Sequence, residues 1–143
     1  MNADEIWNAM VDTISAMDYP TGDSERDEAF LLFQYHSVME SGGHESFLNS
    51  FEEDIERIDP AFFFRQLVQS LAHIGGTQYG EIEKKYGLPL WESYKALEND
   101  ESGEEAFYTL IEKADKEYEA LDSRINGLME AYFKELYKKW GSN

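Results

Sequence analysis

Residues 40–50, ESGGHESFLNS, crowd chemistry-bearing side chains together: Glu40, His44, Glu45, Ser46 and Asn49 surround the pair Gly42-Gly43. Three chemistries could use such a set, and each lacks a part. A zinc hydrolase of the H-E-x-x-H type needs a second histidine four residues after the first, and position 48 is Leu48. A serine nucleophile needs a base in hydrogen-bond reach and a group orienting that base, which adjacency of Ser46 to His44 does not supply. Carboxylate pairs suited to glycoside hydrolysis arise by composition alone in a chain with 30 acidic residues. Elsewhere, His36 stands one turn before Glu40 as a surface pair, and His73 near the end of an apolar helix favours that C-terminus when protonated. GGTQYG at 75–80 lacks the lysine and the preceding strand of a phosphate loop. The 40–50 stretch reads instead as a corner between helices. Gly42 or Gly43 takes the left-handed conformation that ends a helix near Ser41. Phe47, Leu48 and Phe51 then fold back onto the core, and Asn49 or Ser50 caps backbone groups. An enzyme using this corner is the minor alternative, with no catalytic residue, metal or cofactor assigned.

Charge sets the function classes. Twelve basic side chains face 30 acidic ones in 143 residues, a net of −18. The imbalance is uneven: residues 1–60 carry fifteen acidic and two basic side chains, a net of −13. Such a field repels nucleic acid and anionic membrane and attracts basic protein surfaces over a Debye length of about 8 Å. Two acidic clusters carry most of it. One comprises Asp18, Asp23, Glu25, Asp27 and Glu28; the other, Glu45, Glu52, Glu53, Asp54, Glu56 and Asp59. The absence of cysteine removes disulfides and thiolate chemistry. No apolar run approaches the ~20 residues of a membrane span, and Asp4 and Glu5 stand where a signal peptide is basic, so a cytoplasmic location is expected.

The elements that must position these residues repeat at the helical period. Ile6, Met10, Ile14 and Met17 form one stripe, and DYPTGD at 18–23 breaks it. Ser24 with Asp27 resembles a capping box opening the second helix. Asp59-Pro60 is a cap followed by proline in the first turn, opening a helix apolar on most sides and therefore expected to be central. Gly75-Gly76 ends it, Thr77 caps the next helix, Gly87 closes that one and Pro89 opens another. ENDESGEE at 98–105 reads as an exposed linker, and Asp122-Ser123 as a break within the C-terminal helical stretch. With 42% hydrophobic residues a core is within reach, so the expectation is a single all-α domain over 1–143 with about six to eight helices.

Residues 34–50, QYHSVMESGGHESFLNS, resemble a widespread family of small helical bacterial proteins whose hallmark is roughly N-G-G-F-x-Q-Y-F-x-N. Gly42, Gly43, Phe47 and Asn49 match it; Ser41, His44 and Ser46 depart from it. LVQSLAHIGG at 67–76 is similar to the family's A-L-x-x-I-G-A helix end. The 118–137 segment is similar to its closing pattern through Leu121, Asp122, Leu128 and Tyr132. The family is typified by a dimeric acidic protein that imitates DNA and occupies a helix-turn-helix regulator. The resemblance therefore implies the fold and a homodimer, with the four matching residues structural. Mimicry itself depends on where the carboxylates lie. The combined expectation is a non-enzymatic acidic binding protein. It engages a basic DNA-binding protein through the eleven clustered carboxylates, or alternatively neutralises a basic toxin or nuclease.

Overall fold

Asn2 opens the first helix by accepting the Glu5 backbone N–H on its side-chain oxygen at 2.9 Å, and α1 (Ala3–Ser15) follows. Its apolar stripe buries Met10 and Ile14 and lays Trp7 against Phe133, ring centroids 4.6 Å apart. The computed structural model describes residues 2–140. After α1 come α2 (Ser24–Ile58), α3 (Pro60–His73), α4 (Thr77–Ala96), α5 (Glu104–Glu119) and α6 (Arg124–Trp140), with a 3-10 turn at Glu101–Gly103. Among the described residues there is no strand, and all six helices feed one core. No described helix is long and apolar enough to cross a membrane.

Several boundaries follow from residue chemistry as expected. Asp59 accepts the Phe62 N–H at 3.1 Å ahead of Pro60, while its own N–H closes α2 on the Ile55 carbonyl. Gly75 (φ +88°) ends α3, with Gly76 N–H bonded to Leu71 O and Gly75 N–H to Ala72 O, the paired bonds of a Schellman stop. Asp122 and Ser123, at φ 53° and 55°, separate α5 from α6, so the C-terminal stretch is two helices.

Four boundaries differ. The cap of α2 is Asp23, whose carboxylate accepts from the Glu25 and Arg26 N–H groups; Asp27 turns back instead and accepts from the Thr21 N–H and hydroxyl at 2.7 and 2.8 Å. Thr77 is the first residue of α4 and not its cap; Gly76 holds that position without a side-chain bond. Gly87 and Pro89 lie inside α4, because tertiary packing overrides their local preference. A Cβ on Gly87 would stand 2.5 Å from Phe64 Cδ1, so the glycine admits the ring of α3, while Pro89 sits on the exposed side. Finally, the first arm of α2 ends at Gly42, near Ser41 as expected, but a continuous second arm, and not a short turn, starts at once beyond Gly43.

The core is aromatic where α2 meets α3. Phe47, Phe51, Phe63 and Phe64 interlock, with centroids of 47 and 51 at 5.0 Å and of 51 and 63 at 5.1 Å. Only one side of α3 shares in this; Arg65 and Gln69 are exposed and Phe62 is 46% exposed, so α3 is less central than its composition implies. On α6, Gly127 is exposed and a Cβ there would meet nothing within 4 Å. Gly127→Ala is expected to stabilise the protein by roughly 0.5–1 kcal/mol, chiefly by restricting the unfolded chain. Urea denaturation reads this as a higher midpoint; an unchanged midpoint would mean the helix is frayed at that turn.

Candidate functional site

Gly43 has φ 68° and ψ −157°, a region essentially closed to residues with a Cβ, and it bends α2 into two arms, 24–42 and 44–58. The expected positive φ is present, but in this extended form and not in the left-handed helical one. Space forbids a side chain as well. A Cβ on Gly43 would lie 2.7 Å from Asp115 Oδ2, and one on Gly42 would lie 2.7 Å from Ser46 Cβ.

Asp115, from α5, occupies that space with purpose in the local geometry. Its Oδ1 accepts the His44 backbone N–H at 2.9 Å and faces His44 Nδ1 at 2.7 Å. A carboxylate from another helix thereby caps the second arm at its positive end. The other ring nitrogen, Nε2, meets Glu83 of α4 at 2.8 and 3.0 Å, and Tyr35 of the first arm donates its hydroxyl to Glu83 Oε2 at 2.6 Å. Tyr35 and His44 are fully buried, and Glu83 is 1% exposed. Carboxylates only accept, so both ring nitrogens carry protons and His44 is an imidazolium. Burial alone pulls its pKa down, but the Glu83 charge and the hydrogen bonds to Asp115 and Glu83 outweigh it and hold the group up to about 9. Burial first, then the Glu83 charge, pushes the Tyr35 phenol up, so it remains a neutral donor.

The chain Tyr35–Glu83–His44–Asp115 ties both arms of α2 to α4 and α5. A cleft of about 510 Å³ adjoins it, lined by Glu40, Gly42, Gly43, Asp115, Tyr118 and Asp122 among others. His44 does not line that cleft, and each of its nitrogens is already occupied. The arrangement locks a bend, and Asp115, whose side chain is 27% exposed, also lines the cleft. Ser46 makes no contact with the His44 ring nitrogens. His36 pairs with Asn126 at 2.6 Å and not with Glu40. Glu83 and Asp115 carried one legible signal: each is a carboxylate at or beside an apolar stripe, Tyr79, Ile82, Tyr86 and Leu90 in α4, and Ile111, Ala114 and Tyr118 in α5.

Of the family-motif residues, Phe47 centres the aromatic cluster, while Asn49 accepts the Tyr94 hydroxyl at 2.8 Å and caps no backbone group. The bend also decides where the acidic clusters lie. Arg57, near the end of the second arm, donates to the Tyr19 carbonyl at 3.0 Å and pairs with Asp54 at 2.8 Å. The end of α2 therefore returns to the loop that precedes it, and one carboxylate of each cluster, Asp54 and Asp27, acts on Tyr19. Burial first, then the charges of Asp54 and Asp27, pushes the Tyr19 phenol far up, one charge from each cluster.

Many of these carboxylates have internal partners. Glu25 binds Lys139 and the Trp140 indole, which hold its pKa down; Glu28 binds His73 at 2.8 Å; Glu45 accepts the Tyr108 hydroxyl. Glu52 and Glu56 share Lys95 with Glu98. Asp23 and Asp59 are caps, and Asp27 braces the 21–22 turn. Among the described residues, Asp18 and Glu53 are exposed and make no hydrogen bond or ion pair. No family model matches the chain, nor does any curated protein or solved structure.

Proposed function

We propose that this chain is a non-enzymatic acidic binding protein that engages a basic protein surface, its carboxylates standing where a partner expects DNA phosphates. The observation that carries this reading is that Asp27 of one cluster and Asp54 of the other both act on Tyr19, where Arg57 ties the end of α2 to the loop before it. Within residues 1–60 only Arg26 and Arg57 interrupt the fifteen carboxylates. The family that residues 34–50 resemble is typified by an acidic DNA mimic, but that resemblance implies the fold and not the mimicry. A partner's lysines and arginines would gain long-range attraction and a steep salt dependence. Neutralisation of a basic nuclease uses the same physics and differs in the partner alone.

The test uses the two carboxylates with no internal role. The immobilised protein should retain a basic protein at low salt, release it in a salt step, and release it to added duplex DNA, which competes for the same cations. The Asp18→Lys/Glu53→Lys double variant should lose about tenfold or more in affinity for that protein with unchanged helical circular dichroism, since rim charges act at long range. Equal retention by the variant, or indifference to DNA, would reject mimicry by these clusters. Inhibition of a captured nuclease would assign the neutralising role.

A further inference from the structure

Between the 19–24 loop, the start of α2 and the exposed side of α3 runs a groove of about 480 Å³. Tyr19, Leu31, Ile58 and the half-exposed Phe62 are its apolar lining, and Asp27 and Glu28, each also bonded within the molecule, line it too. Ser70 and Gln66 also line it. Ser70 is 5% exposed, yet its hydroxyl makes no hydrogen bond among the described residues, and neither does the half-buried Gln66 amide. The Ser70 hydroxyl and the Gln66 amide therefore keep hydrogen-bonding capacity free toward the groove. No lysine or arginine lines this groove. The neighbouring groove against α6 differs, because Lys138 and Lys139 stand on it.

We infer that this groove receives an arginine side chain from an amphipathic helical segment of the basic partner. The methylene stem lies along Phe62 and Ile58. The guanidinium, with five fixed donors, reaches Ser70 Oγ and Gln66 Oε1 in the field of Asp27 and Glu28. Lysine offers a point charge and fewer directed donors, so it fits less well. This assignment rests on the acidic-binding reading and adds the one side chain that the acidic clusters would recognise by shape.

Two fluorescein-labelled helical peptides of leucine, alanine and a single cation type, arginine or lysine, provide the probe in anisotropy titrations at low salt. The wild type should prefer the arginine peptide by about tenfold or more, the low end for one hydrogen bond to a charged group beyond those that lysine can make. Gln66→Leu should erase that preference, and Phe62→Ser should weaken both peptides while circular dichroism stays unchanged. Equal affinity for the two peptides, or a preference surviving in Gln66→Leu, overturns the groove. If the peptides bind equally but Asp18→Lys/Glu53→Lys weakens both, the acidic-binding reading survives without the groove. If neither peptide binds even at low salt, both fall.

Discussion

Replacing His44 by glutamine is expected to lower the free energy of unfolding by about 3–5 kcal/mol, the range for breaking a buried ion pair by removing one partner. Glu83, 1% exposed, would be left with only the Tyr35 hydroxyl to answer its carboxyl group, and Asp115 would lose the ring donor while keeping the backbone one. Burial offers no water to replace the missing cation, which is why the cost exceeds that of a surface pair. The same geometry fixes a pH dependence. The folded-state pKa of His44 is raised to about 9 from 6.5, so its contribution is complete below about 6.5 and is lost as pH climbs through about 9. A shift of that size corresponds to about 3 kcal/mol across the window. Urea unfolding at about pH 6 and about pH 9.5 should show the wild type weakening while His44→Gln stays level. A penalty under about 1 kcal/mol, or parallel pH curves for the two proteins, would mean that His44 is neutral and the network is not ionic. The Glu83→Gln/His44→Gln pair should lose less than the sum of the single changes, since removing both charges leaves neither orphaned.

Gly43→Ala is expected to destabilise by about 3 kcal/mol or more. Part is backbone: its dihedral region costs a residue with a Cβ on the order of 1–3 kcal/mol. The rest is displacement, because the new methyl group would occupy the space of the Asp115 carboxylate, 2.7 and 2.9 Å from its oxygens. Moving Asp115 undoes both of its bonds to His44. Gly22 provides the comparison. It also has positive φ (+88°), but nothing lies within 4 Å of a Cβ there, so Gly22→Ala should cost roughly 1–2 kcal/mol from conformation alone. Denaturant titration of the two variants separates the terms. Equal penalties would show that Asp115 yields freely, and the bend would then owe its shape to the backbone of Gly43 alone.

Several elements were legible because their determinants are local. The α1 stripe, the Asp59-Pro60 start of α3 and the Gly75-Gly76 stop each rest on side chains or dihedrals within a few residues. The break at Asp122-Ser123 is of the same kind. Gly87 and Pro89 misled because their local preference for a helix end competes with the Phe64 ring, 23 residues away in sequence, which needs a glycine inside α4. The glycine pair at 42–43 lay between these cases. Its need for positive φ was readable from glycine chemistry, whereas the continuation of the helix beyond it depends on Asp115 supplying a cap from 71 residues away.

Composition and periodicity were thus enough to establish an all-helical chain with a concentrated negative charge and a positive-φ glycine at 42 or 43. They could not reveal that His44 would be buried as a cation between Glu83 and Asp115, since three elements distant in sequence must pack before its charge is held. Nor could they show that Asp27 and Asp54 would both act on Tyr19, or that most of the clustered carboxylates would find partners within the molecule. Helix periods and caps are written in neighbouring residues, whereas desolvation and charge pairing exist only once distant surfaces have closed on one another.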